Sequence, residues 1–163
     1  MPTFYGTDEV RRQKQRLEKV FTLIDGVQSI DSEAQAHYAR YLCVRLAGFA
    51  EQSVKDLVSE HARAQASPTV HRYVEAKIRG LWGINERKLK ETLDSFDERW
   101  WPSIEAAFER EIAALQSVGK LRDNISHGGD SGITLPTIKQ YKQDVLRLVD
   151  HLCTILDPRA VAQ

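Results

Sequence analysis

An arginine and a histidine five positions apart are the residues of this sequence best suited to chemistry. Arg122 and His127 lie in the segment 121–128, near the predicted end of an apolar helix. A guanidinium presents a planar fork that fits a phosphate, and an imidazole titrates near neutral pH and can transfer protons. Together the two side chains could act on a phosphodiester without a metal ion.

The spacing of this pair decides whether the two side chains can meet. On a continuous helix, five residues leave them about 140° apart around the axis, so they would not converge. We therefore expect the helix to end near Ser126, with Gly128 or Gly129 as a left-handed cap, so that His127 can fold back toward Arg122. The alternative is an ordinary helix end, where a cation complements the helix dipole and the histidine lies at the surface.

The elements that must position this pair are predicted to be helices. Strand signals are scarce, because no Asn-Gly or Asp-Gly turn joins alternating apolar runs. Apolar periodicity and capping residues predict six helices that begin near Thr7, near Asp31 or Ser32, at Ser67-Pro68, at Asn85, after Trp100-Trp101-Pro102, and near Thr134 or Thr137. The expected fold is an all-α bundle of about five to six helices in a single domain, residues 1–163. Its core spans about residues 7–157, between short mobile tails at 1–6 and 158–163.

The second predicted helix is apolar on two faces. Its main stripe includes Leu42 and Leu46, whereas Tyr41, Val44 and Val58 lie nearly opposite that stripe. Such a helix is either central in its bundle or part of an interface between chains.

Composition and charge exclude several classes of protein. The chain has 163 residues, with 23 Lys and Arg against 23 Asp and Glu, so a generic binder of polyanions is disfavoured while a local basic site is allowed. No apolar run approaches the ~18 residues of a spanning helix, and the N-terminus is polar. We therefore expect a cytoplasmic protein that does not bind membranes.

The sequence predicts neither a metal site nor a cofactor. Cys43 and Cys153 lie within apolar helical patterns and are expected to be reduced and buried. The remaining histidines are scattered and form no His-Glu-x-x-His motif, so packed or surface histidines are the simpler interpretation. They are His37, His61, His71 and His151.

Two further features are candidates for a supporting role. The most basic stretch surrounds Trp82 and could contact RNA; its cations are Lys77, Arg79, Arg87, Lys88 and Lys90. The simpler interpretation is a solvated helix face with a packed tryptophan. Glu51, on the second helix, could face a dimer site and orient an arginine, or could be an ordinary exposed glutamate.

The Arg122–His127 motif resembles the signature of the HEPN superfamily (higher eukaryotes and prokaryotes nucleotide-binding), in which Arg, four to six residues and His stand at a helix end. The segment 40–51, together with Ser67-Pro68, Asn85, Phe96-Asp97 and the closing 133–135, resembles the RiboL-PSP branch of HEPN-like nucleases. The likeness covers roughly residues 33–156. The glycine-rich segment 128–132 departs from the pattern, because it places Asp130 near the site, where it could repel RNA phosphates or lie in solvent.

The resemblance implies a metal-independent endoribonuclease that acts as a homodimer with a composite active site, as in toxin–antitoxin and antiphage-defence systems. His127 would be the acid/base residue, Arg122 would stabilise the phosphate, and Asp123 or Asn124 would hold the geometry. RNA supplies its own nucleophile, the 2′-hydroxyl, so a proton acceptor and a cation suffice. An antitoxin protein would be a further partner. The alternatives are an inactive HEPN-type module that binds a nucleotide, RNA or a protein, and a helical adaptor unrelated to HEPN.

Overall fold

A computed structural model describes residues 5–27 and 31–156, with side chains from residue 8 onward. The described residues form seven α-helices and no strand, which confirms the all-α prediction. The helices are α1 (Tyr5–Asp25), α2 (Ser32–Gln65), α3 (Pro68–Arg79), α4 (Glu86–Asp94), α5 (Trp100–Ala107), α6 (Glu109–Ser126) and α7 (Leu135–Leu156). None of these seven helices is long and apolar enough to cross a membrane. Of the tails predicted to be mobile, residues 1–4 and 158–163 lie outside the described residues.

Side-chain caps fix three of the helix starts. The carboxylate of Asp31 accepts from the amide of Ala34 at 2.7 Å, and Asn85 accepts from the amide of Lys88 at 2.9 Å. Ser67 caps α3 in the same way, directly before Pro68. These caps confirm the predicted starts of α2, α3 and α4, because each satisfies an amide that has no partner within its helix. The predicted cap Thr7 is wrong, since α1 already begins at Tyr5.

The predicted fifth helix is divided in two. Pro102 lies in the first turn of α5, where a missing amide hydrogen costs no intrahelical hydrogen bond, so it does not break the helix. The break falls instead at Phe108, whose φ of −127° and ψ of 33° leave the helical region. The bundle therefore has seven described helices where the sequence predicted about five to six.

Helix α2 forms the centre of the bundle and packs against α1, α3, α6 and α7. Its stripe of Leu42, Leu46 and Leu57 is fully buried. On the second apolar face, Val58 is buried as well, whereas Tyr41 and Val44 are 48% and 40% exposed. The central helix therefore also leaves part of one face open to solvent, between α1 and α6.

The two cysteines differ in their surroundings. Cys43 is buried in α2, and burial raises the pKa of its thiol to about 11, because an apolar environment disfavours the thiolate. Cys153 is only partly buried, which corrects the expectation that both cysteines lie in the core. Neither residue forms a disulfide within the described chain.

Candidate functional site

The C-terminal end of α6 is closed by a pair of glycines. The helix ends at Ser126, His127 is the C-cap residue, and Gly128 follows with a φ of +75°. The amide of Gly129 donates to the carbonyl of Asn124 at 2.8 Å, and the amide of Gly128 donates to the carbonyl of Ile125 at 3.1 Å. This pattern is a Schellman cap, and the left-handed Gly128 confirms the predicted helix end.

Within one chain, however, this cap does not turn His127 back toward Arg122. His127 has a φ of −93° and a ψ of 10°, so its backbone stays close to the course of the helix, and the reversal follows one residue later at Gly128. The Cα–Cβ bonds of the two residues therefore leave the axis of α6 about 140° apart. No hydrogen bond joins them within the described residues, and His127 is exposed. The expected approach of His127 to Arg122 therefore produces no contact between the two side chains that the described chain records, and it stays a prediction.

Arg122 lies in a groove of about 280 Å³ between α6, α2 and the loop that joins α3 to α4. Its guanidinium Nη1 donates to the Asp123 carboxylate at 3.2 Å, and its side chain is 36% exposed. Asp123 also lines the groove. An exposed pair of this kind contributes little to stability, so the guanidinium can exchange Asp123 for a phosphate at small cost.

Glu51 lies on the wall of the same groove, on α2. Its Oε2 accepts from the amide of Gly83 at 2.6 Å, and its Oε1 pairs with Lys55 at 3.2 Å. The side chain is only 17% exposed, so Glu51 is not an ordinary exposed glutamate. Its described partners do not include an arginine, and its role at a dimer site stays a prediction. It anchors the α3–α4 loop to α2.

The basic stretch around Trp82 is dispersed over different surfaces. Lys88 lines the groove of Arg122, and its ammonium donates to the carbonyl of Trp82. By contrast, Arg87 pairs with Glu91 at 2.7 Å and Lys90 pairs with Asp94 at 2.5 Å on the outer face of α4.

Lys77 and Arg79, the other two cations of the stretch, lie on α3. The Lys77 ammonium stands over the ring of Tyr73 and lines a separate groove between α3 and α4. Arg79 is exposed at the end of α3. Among the five predicted RNA-contacting cations, only Lys88 therefore shares a groove with Arg122.

Sequence reasoning missed two residues on the α6 side of this groove. Lys120 and Gln116 both line it, and Lys120 makes no hydrogen bond or ion pair with any described residue. At 100° per residue, His127 lies about 20° from Lys120 around the helix axis, so the two share one face. Counting back from His127 by seven residues would have found Lys120 in the sequence.

Asp130, the acid that departs from the HEPN pattern, lies 3.6 Å from the guanidinium of Arg40 on α2. The carboxylate is 86% exposed and also accepts from the amide of Gly132 at 3.2 Å. Arg40 in turn lies 3.4 Å from the ring of His37. Asp130 is thus paired with a cation in solvent, which weakens its repulsion of a nearby phosphate.

The described histidines, cysteines and carboxylates include no group of three or more placed to hold a metal ion. The side chains at the end of α6 that can take part in chemistry are a cation at Arg122, an exposed imidazole at His127 and an ammonium at Lys120 that has no described partner.

The helical frame and the Arg–His helix end define a HEPN domain. The RiboL-PSP-HEPN family model matches residues 10–157, which include Arg122 and His127, and the chain belongs to this family. The match confirms the resemblance inferred from the sequence and extends it into α1, before residue 33. No curated protein and no solved structure matches the chain.

Proposed function

We propose that this chain is a metal-independent endoribonuclease that acts as a homodimer. Family membership supports a role in RNA metabolism, and the observation that carries the proposal is the presence of a partly exposed Arg122 and an exposed His127 at the glycine-capped end of α6. Cleavage of a labelled single-stranded RNA by the purified protein is the direct test. Products ending in a 2′,3′-cyclic phosphate and a 5′-hydroxyl are expected.

The proposed reaction needs one proton acceptor and one cation. The 2′-oxygen attacks the adjacent phosphorus as its proton passes to a His127 imidazole. Negative charge that develops on the phosphate is stabilised by the guanidinium of Arg122. The bond from phosphorus to the 5′-oxygen then breaks, and a protonated imidazole supplies the proton that the leaving oxygen takes up.

The placement of this pair and the open face of α2 support the proposed dimer. Because Arg122 and His127 leave α6 on different sides and no described hydrogen bond joins them, a second chain would place an imidazole and a guanidinium at one phosphate. Tyr41 and Val44 of α2 are exposed, and Val44 and Gly48 line a shallow groove against α1. An added Cβ at Gly48 meets no atom within 4 Å. A second α2 can approach closely at such a face.

Substituting Gly48→Glu is expected to convert the dimer into a monomer while the fold is kept. The new side chain fits the single chain and improves helix propensity, but it puts a charge where the second chain would pack. Sedimentation at concentrations of about tens of micromolar measures the change from a dimer to the 18.6 kDa chain. Ala106→Glu, on the exposed side of α5, is the matched control and should remain dimeric. A wild-type chain that is monomeric throughout this range would contradict the proposal.

Chelators are expected to leave RNA cleavage unchanged, because the proposed reaction uses an imidazole and a guanidinium in place of a metal-bound hydroxide. Initial rates measured with and without EDTA give the comparison. Activity that disappears in EDTA and returns with one divalent cation would refute the mechanism.

A second candidate function is an inactive HEPN module that binds RNA, a nucleotide or a protein. One observation favours it: within one chain, Arg122 is paired with Asp123 and does not meet His127. RNA binding without cleavage, at concentrations where the protein is dimeric, would favour this second function.

We also propose that the nuclease serves as a toxin or an antiphage effector, restrained in the cytoplasm by an antitoxin protein. The support is the HEPN membership alone. Growth arrest on induction of the wild-type chain, but not of a His127→Ala chain, tests the toxin role. Co-purification with the product of a neighbouring reading frame tests the antitoxin.

A further inference from the structure

Trp82, in the loop between α3 and α4, is 69% exposed. The ammonium of Lys55 stands 5.0 Å from the centre of its ring. A large aromatic ring gains free energy from burial, so a ring left in solvent beside a groove is available to a ligand.

The loop that carries Trp82 is held firmly, so this exposure is not the result of a loose segment. Glu51 accepts from the amide of Gly83, and Lys88 donates to the carbonyl of Trp82. Ile84 is buried, and its carbonyl lies so close to α6 that a Cβ at Gly119 would stand 2.9 Å from it. The ring is thus presented on a rigid support, which lowers the entropy lost when a ligand stacks on it.

The groove beside Trp82 offers hydrogen-bond donors and cations. The side-chain oxygen of Asn85 accepts from the amide of Lys88, and that of Gln116 accepts from the amide of Glu86. Both side-chain NH₂ groups therefore remain as donors without a described partner. Lys120 and Arg122 line the opposite wall of the groove. Its volume of about 280 Å³ falls near the lower limit of small-molecule sites, about 300 Å³.

We propose that this groove is a subsite for one unpaired nucleotide of the RNA substrate. Its base stacks on Trp82, the amides of Asn85 and Gln116 donate to acceptors on the base edge, and Lys120 and Arg122 hold the neighbouring phosphates. A base within a duplex is already stacked and paired, so the subsite selects single-stranded RNA. This inference rests on the proposed function, because it assigns the substrate class of the same site.

The test measures the binding of two short single-stranded probes that cannot be cleaved. One is a 2′-O-methyl RNA, and the other is an abasic strand of the same length, which keeps the phosphates and lacks the bases. Trp82→Ala should weaken binding of the first probe roughly 5- to 150-fold, the effect of losing one base–aromatic stack. The same substitution should hardly change binding of the abasic strand. Trp82→Phe should retain most of the affinity, because it keeps an aromatic face.

Tyr73→Ala is the matched control, since Tyr73 is also an exposed ring, 63% accessible, with a lysine above it, but it lies in the other groove. Its affinity for both probes should equal that of the wild type. Equal losses for both probes in Trp82→Ala, or no loss for either, would overturn the subsite. A third outcome would also overturn the subsite: a Trp82→Ala chain that becomes monomeric and keeps the wild-type ratio of affinities for the two probes. The ring would then belong to the interface between subunits.

Cleavage of unmodified RNA by the wild type separates this inference from the proposed function. If the wild type cleaves RNA and Trp82→Ala binds both probes as the wild type does, the subsite is wrong and the nuclease assignment stands. If the wild type binds the 2′-O-methyl probe but does not cleave RNA, the nuclease assignment fails, and the comparison of the two probes still decides the subsite. A wild type that binds neither probe would overturn both.

Discussion

His127→Ala is expected to lower the rate of RNA cleavage by about 10²–10⁴, because that is the usual contribution of a general acid or base. The fold and the dimer should be unaffected, since the imidazole is exposed and bonds to no described residue. Single-turnover cleavage of a labelled RNA, followed on a gel, measures the effect. Far-ultraviolet circular dichroism and sedimentation verify that the variant is folded and dimeric.

The matched control for this substitution is His71→Ala. His71 lies on α3, where it pairs with Glu75 at 3.6 Å, away from the groove of Arg122. Its removal should leave the cleavage rate unchanged. Wild-type rates from the His127→Ala chain would end the assignment of nuclease chemistry to this motif, whatever the other variants show.

Arg122→Ala is expected to reduce cleavage by a similar factor, since the developing charge on the phosphate would lose its guanidinium. Arg122→Lys should restore little of the rate, because an ammonium is a point charge and cannot make the two-pronged contact. The same single-turnover assay gives both rates, and fluorescence anisotropy with an uncleavable RNA separates chemistry from binding.

Arg11→Ala serves as the control for loss of a cation, because Arg11 pairs with Asp8 on the exposed side of α1. It removes one positive charge from the chain without touching the groove. If Arg11→Ala and Arg122→Ala slowed cleavage equally, the role of Arg122 would be reduced to general attraction of RNA. Full activity in Arg122→Lys would likewise contradict a bidentate contact.

The fold could be predicted from the sequence because its signals are local. Asp31, Ser67 and Asn85 cap their helices through side chains that lie three residues from the amide they bind, so the pattern is visible in the sequence. The division between α5 and α6 was missed for the opposite reason. Phenylalanine is not a residue type that signals a helix break, so Phe108 gave no warning of the break. Proline is such a residue type, but Pro102 lies in the first turn of α5, where proline is tolerated.

The site was only partly predictable, because its geometry depends on contacts between distant segments. The glycine cap after Ser126 could be inferred from adjacent residues, and the structure has it. The role of Glu51 could not be inferred in this way, because its partner Gly83 is 32 positions away in the chain. Nor does the basic stretch itself indicate that Lys88 faces the groove of Arg122 while Arg87, one residue earlier, pairs on the outer surface.

The position of His127, on a different side of α6 from Arg122, has a consequence for how activity depends on the amount of protein. If the catalytic centre forms only when two chains meet, the number of active centres in dilute solution rises with the square of the chain concentration. A cell could therefore carry a low level of the chain at little harm, and a modest increase in synthesis or a modest fall in degradation would raise cleavage disproportionately. The concentration of the chain would then control the rate of RNA cleavage, even without an inhibitor protein.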